Sequence, residues 1–347
     1  MDEKKTELKS EIRRDSNING ILLLIFWVFY FLTYAISWGL AKVLPDKSAT
    51  SDGIATILVY TFLYPIGISI AVFIAHKLKN RNITEPEKPQ RLKDTFRKPE
   101  MPVSWIATFI IISIFLAYAT SFLTVIITAL IGAIFGQEPQ SVTFSSSPSL
   151  MTSIATVLAT TIYAPVFEEL FFRATLYRNV RKYGSWSMII IAGLTFGIWH
   201  ANFAQIFFAG VVGICSCFIY EKTKSIIPSI ILHFIINTIG CCATLVTNYM
   251  GIDPSSPEIS TISLLENIPL LIALLLIEVT VFSICLIGFI FLICELSGKR
   301  ENLKLEKKCP EISGAKKAIA YMTAPTMIAA MLIMLAFTIM RSMGISF

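Results

Sequence analysis

The stretch "IATVLATTIYAPVFEELFFRATLY", residues 154–177, decides how the chain is read. It is long and apolar enough for a bilayer-spanning helix, which needs about 20 mostly apolar residues. Yet its second half carries Glu168, Glu169 and Arg173. An ionisable side chain at the centre of a membrane helix costs roughly 2.5–3.5 kcal/mol on insertion scales, so it needs a partner, a wet cavity or a task.

The rest of the chain supports a membrane setting. Of 347 residues, 55% are hydrophobic and 15% are charged, with a mean hydropathy of +0.70. An ordinary soluble domain carries about a quarter charged residues. Apolar segments fall at 21–41, 54–76, 104–136, 151–177, 186–200, 203–220, 226–249, 264–295 and 318–345. The fifth and sixth are short or closely joined, so the count is eight or nine. The expected fold is therefore all-α: a polytopic transmembrane bundle of eight or nine spans forming one membrane domain over residues 1–347. The run at 21–41 is too long for a signal-peptide core and reads as the first retained span.

The net charge of +6 does not mark a nucleic-acid binder, because the basic residues gather in the tail and turns rather than on one face. The tail holds Lys4, Lys5, Lys9, Arg13 and Arg14, and further Lys and Arg follow the second, fourth, sixth and eighth segments. Residues 136–149 and 251–260 contain neither. A nine-span arrangement with a cytoplasmic N-terminus puts every strongly basic loop inside, with Lys42 and Lys47 as the exception. The seven cysteines form no C-x-x-C pair and read as small buried hydrophobes.

Polar residues concentrate in the fourth to seventh segments. Glu169 and Arg173 stand four apart with the acid first, the favourable order for a helical ion pair. Glu168 lies about 100° round the helix, so the same arginine need not neutralise it. Of three histidines, His76 sits at a membrane boundary and reads as interfacial. The other two share a helix face with a residue four away, His200 with Phe196 in "FGIWH" and His233 with Asn237 in "HFIIN". At about 1.5 Å per residue, Glu168, His233 and His200 lie roughly 13, 10 and 20 Å from the basic turns, which lets them meet. Singly, each reads as a bonded interior group. Together they read as a functional site.

Three chemistries compete for this set. No Ser or Cys stands in a nucleophile motif, and H-E-x-x-H is absent. Zinc held by Glu168, His200 and His233 with one open position stays open. Metal-free hydrolysis uses every member: Glu168 with His200 takes a proton from water, while His233 and Asn237 donate to an oxyanion.

"EELFFR" fits E-E-x-x-x-R, "FGIWH" fits F-x-x-x-H and "HFIIN" fits H-x-x-x-N, in that order on separate segments. On these motifs the chain resembles the CAAX-protease and bacteriocin-processing family of intramembrane glutamic proteases. That family includes the type II CAAX prenyl endopeptidases and the bacteriocin-immunity, or abortive-infection, proteins. The resemblance covers about residues 150–245, with 1–149 and 246–347 as flanking helices and basic loops. It implies a cavity-type intramembrane site in a bacterial cell membrane, with Glu168 and His200 activating water and His233 and Asn237 stabilising the oxyanion. Glu169, Arg173 and Phe196 take supporting roles. The implied partners are a peptide or lipidated protein substrate and the lipid bilayer, and no cofactor is expected.

Two rivals remain: a proton-coupled transporter, which would show paired halves with broken helices, and a non-catalytic immunity or scaffold protein. Outside the motifs, Glu278 reads as a carboxyl bonded to a neighbouring helix, and Arg341 as snorkelling to the outer interface.

Overall fold

The computed structural model describes residues 2–44, 48–80, 92–135, 149–184, 186–251, 267–298, 300–343 and 345. Its elements, in chain order, are α1 (Asp2–Val43), α2 (Ala49–Leu78), α3 (Val103–Phe135), α4 (Leu150–Tyr183), α5 (Trp186–Trp199), α6 (Phe203–Thr223), α7 (Ile227–Tyr249), α8 (Ile268–Ser297), α9 (Gly314–Met322) and α10 (Pro325–Ser342). Eight of the described helices are long and apolar enough to cross a membrane, and the chain is a polytopic helical bundle. The fifth apolar segment is α5, whose 14 residues reach about 21 Å, short of a hydrocarbon core of about 30 Å. Of the charge-poor stretches 136–149 and 251–260, residues 136–148 and 252–260 lie outside the described residues.

The last apolar segment, expected as one run over 318–345, is two helices. Pro325 lacks an N–H and holds Ala324 extended (φ −69°, ψ 132°), which separates α9 from α10. Elsewhere the polar residues next to the apolar runs set the starts. Ser48 accepts from the Ser51 amide at the head of α2, Ser149 and Thr152 form a reciprocal capping box on α4, and Asn202 accepts from Ala204 on α6.

The centre of the bundle is the α5–α6 hairpin, where two backbones nearly touch. A Cβ built on Gly197 would lie 2.2 Å from the Ile206 carbonyl oxygen and 2.9 Å from the Gly210 Cα. Small residues are the usual means of close helix approach inside a membrane. Gly197→Ala is expected to destabilise the fold by about 1–3 kcal/mol, the usual cost of overpacking, read as a lower melting temperature in detergent.

Polar residues at the basic end stitch α1, α4 and α9 together. Asn19 donates to the Leu176 carbonyl at 3.0 Å and accepts from Asn179 at 3.0 Å, and Tyr183 donates to Asp15 at 2.7 Å. Burial pushes the Tyr321 hydroxyl up to about 12, so it stays neutral beside Asn19. Nearby, the buried Glu221 carboxylate meets Arg181 at 3.1 Å, Lys224 at 3.0 Å and Lys308 at 2.7 Å. That cluster pins the linker after α8 to the basic ends of α4 and α6.

α8 is the least enclosed helix and crosses α3 at Gly288, where a Cβ would stand 2.6 Å from the Ile111 carbonyl oxygen. Glu278, expected to bond a neighbouring helix, is exposed, with Tyr118 of α3 near enough to feel its charge. The face that α8 turns inward is the one bearing Val281 and Gly288. Cys215, Cys217 and Cys241 are buried free thiols, while Cys242 and Cys294 are exposed.

Candidate active site within the bundle

α4 is not a plain α-helix. Its backbone widens into π-helical turns at Leu158–Glu168 and Phe172–Tyr177, and α2 does the same at Phe62–Ile68. Each of the two longer π segments contains a proline, Pro165 and Pro65. In a π-helix the amide of residue i bonds the carbonyl of residue i−5, and such turns gather at functional sites. Pro165 has no amide, so the carbonyl five residues back, Thr160, lacks its backbone donor. Asn237 supplies it: its side-chain nitrogen donates to the Thr160 oxygen at 2.8 Å. A neighbouring helix thus satisfies what the proline leaves open, as apolar surroundings require.

Both acids at the end of the first π segment are buried, Glu168 at 3% exposure and Glu169 at 0%. The ion pair expected from their spacing forms, with Arg173 Nη1 2.9 Å from Glu169 Oε1. The Arg173 guanidinium also lies 4.3 Å from the centre of the Phe196 ring, a cation–π placement strengthened by desolvation.

His233 comes down from α7 between the two acids. Its Nδ1 is 3.0 Å from Glu169 Oε1, and its Nε2 is 3.8 Å from Glu168 Oε2. A carboxylate only accepts, so Nδ1 carries the proton and donates. Glu168 is held from its other side, where the Tyr64 hydroxyl of α2 donates to Oε1 at 2.8 Å. Oε2 is buried without a hydrogen-bond partner. A continuous polar line therefore runs Arg173, Glu169, His233, Glu168, Tyr64.

His200 stands in the turn just after α5 and packs against Phe196. Its Nδ1 donates to the Phe196 carbonyl at 2.8 Å, which fixes the tautomer and leaves Nε2 as the acceptor in the neutral ring. Both imidazoles meet the Phe196 ring edge to face, with centroids at 4.8 Å for His200 and 5.8 Å for His233. Phe196 thus touches both histidines. The imidazole beside Glu168 is His233 rather than His200, and no hydrogen bond joins His200 to Glu168 among the described residues.

The turn after His200 is strained. Ala201 has φ +47°, a left-handed conformation that an L residue adopts at a cost. Arg341 of α10 reaches in and donates to the Ala201 carbonyl at 3.2 Å and the His200 carbonyl at 3.5 Å, and also bonds Tyr30. It therefore does not snorkel outward: the carbonyls left open at the end of α5 offer it acceptors inside the bundle.

Among the described residues, no three His, Cys, Asp or Glu side chains are grouped so as to hold a metal ion.

Residues 150–239 match the family model of the type II CAAX prenyl endopeptidases, Rce1-like. This Rce1-like segment contains Glu168, Glu169, Arg173, Phe196, His200, His233 and Asn237; His200 stands in the turn just after α5 and the others lie on α4, α5 and α7. No curated protein and no solved structure matches the chain.

The segment does not contain Tyr64 or Arg341, and neither belongs to the motifs. Tyr64 is one of eleven tyrosines. Its only local signal is the proline that follows it inside an apolar run.

Proposed function

We propose that the protein is an integral-membrane endopeptidase that hydrolyses peptide bonds of membrane-associated chains by activating water with Glu168. The observation that carries this reading is the second oxygen of Glu168. It is buried and unbonded, in a segment that resembles a peptidase family, 3.8 Å from an imidazole nitrogen. A buried carboxylate oxygen without a donor costs free energy, and a water about 2.8 Å from both Oε2 and a histidine nitrogen satisfies it.

Glu168 accepts the proton as the water oxygen attacks the scissile carbonyl, and returns it to the leaving amine. His200, its tautomer fixed by the Phe196 carbonyl, offers Nε2 as a second acceptor for the water. The developing oxyanion needs donors. His233 donates from Nε2 when it carries both protons, and Asn237 has one amide proton beyond the one spent on Thr160. Glu169 and Arg173 hold His233 in orientation, and Phe196 packs against both imidazoles. The scheme needs no metal. The basic tail and turns put the N-terminus in the cytoplasm, in what we take to be a bacterial cell membrane. The substrate is a prenylated chain ending in C-a-a-X or a leader peptide.

Purified protein in detergent, offered a farnesylated C-terminal peptide and a leader peptide, is expected to cleave at least one of them. His200→Ala should lower kcat by a factor of about 10² or more, the usual share of a general acid–base partner. Cleavage should persist after exhaustive chelation, and a loss restored only by added zinc would overturn the metal-free scheme. Proton flux in proteoliposomes without cleavage of any peptide would overturn the peptidase reading itself.

A further inference from the structure

Tyr64 lies outside the Rce1-like segment and on a different helix from every motif residue, yet it makes the one hydrogen bond that Glu168 receives among the described residues. Its position is built rather than incidental. Pro65 sits in the π-helical turn Phe62–Ile68 that carries Tyr64, and that turn packs against the π-helical turn of α4 that ends at Glu168. The Tyr64 ring stacks on Tyr60, with centroids 5.9 Å apart, and is itself buried, so its hydroxyl has little freedom to turn away.

The consequence is an asymmetric carboxylate. Oε1 accepts from Tyr64 at 2.8 Å, while Oε2 has no donor and faces His233. A glutamate without the tyrosine could turn its carboxyl about the last side-chain bond, a broad and roughly two-fold torsion. Either oxygen would then face His233, and neither would be fixed in depth. With the hydroxyl bound, one oxygen is anchored and the other is held where a water can reach it.

We infer that Tyr64 is a positioning residue: its hydroxyl anchors Glu168 through Oε1 and reserves Oε2 for the attacking water. The inference rests on the peptidase reading of the same site. It extends the working parts of that site to α2, more than a hundred residues upstream of the matching acid.

The test is Tyr64→Phe, which removes the hydroxyl and keeps the ring. A hydrogen bond to a charged group contributes about 1.5–3 kcal/mol, so kcat should fall by roughly 10- to 100-fold. KM and the melting temperature should stay within twofold and a few degrees of the parent. A KM–kcat split of this kind is what loss of orientation produces, and a merely structural tyrosine would not. The Glu168 carboxyl band, identified in the infrared as the one lost in Glu168→Gln, should shift in Tyr64→Phe even without substrate. In an active protein, an unchanged kcat would overturn the positioning role while leaving the peptidase reading in place. So would a kcat that falls only in step with lost folding. A parent protein that cleaves no peptide would remove the peptidase reading and the positioning role with it, whatever the infrared band does.

Discussion

Glu168→Gln is expected to abolish peptide hydrolysis, with kcat reduced about 10³-fold or more, while the protein stays folded. The substitution keeps a carbonyl oxygen to accept from Tyr64 and nearly the same volume, so the contacts around the side chain survive. It replaces the unbonded Oε2 with an amide that cannot take a proton from water. Loss of a positioned general base ordinarily costs about 10²–10⁴ in rate, and here the water also loses its anchoring oxygen. The measurement is single-turnover cleavage of a labelled peptide by matched amounts of folded protein, checked by melting temperature. Retention of a tenth of the activity would assign the proton transfer to another group. His233 would then be the first to examine, because its Nε2 faces the same space.

The second large effect concerns stability. Arg173→Met should destabilise the bundle by about 3–5 kcal/mol, because it leaves the Glu169 charge buried with its cation gone. It should also remove the cation from the Phe196 face. The informative partner is the double variant Glu169→Gln with Arg173→Met. If the cost of the single change is an uncompensated charge, neutralising both members recovers most of the stability, since contacting residues are strongly non-additive. Unfolding midpoints of the four members of the cycle in a mixed-detergent titration would measure this. Equal destabilisation in the single and double variants would show that the arginine acts by packing alone. The double variant should nonetheless remain slow in catalysis. A neutral amide beside His233 Nδ1 still accepts its proton, but a neutral acceptor holds the imidazole less firmly than a carboxylate does.

What could be read from the sequence follows the range of each interaction. Glu169 and Arg173 are one helical turn apart, so spacing alone was sufficient to pair them. The membrane setting was equally plain, since each long apolar run declares itself without reference to any other. The meeting of His233 with both acids depends on how α7 lies against α4, and no periodicity encodes that. The expected order of partners, His200 beside Glu168, reflects this: depth along a helix was available, but direction across the bundle was not. Asn237 is a subtler case. Its bond to the Thr160 carbonyl makes sense only once the chain before Pro165 is known to be π-helical, because the donor gap falls five residues back. The same local reasoning failed at residues 318–345. Pro325 was in plain view, but the apolar run on both sides outweighed it.

The bond from Arg341 to the carbonyls after His200 has a consequence for what kind of unit the Rce1-like segment is. The segment contributes the acids, the imidazoles and the amide, yet the turn behind one imidazole is held by the last described helix and the carboxyl by the second. Chemical groups and the frame that sets their angles therefore come from different stretches of this chain. Two proteins could share every residue of the motifs and still differ widely in rate, because the frame is written elsewhere. The segment is the vocabulary of the reaction, and its grammar lies in the flanking helices.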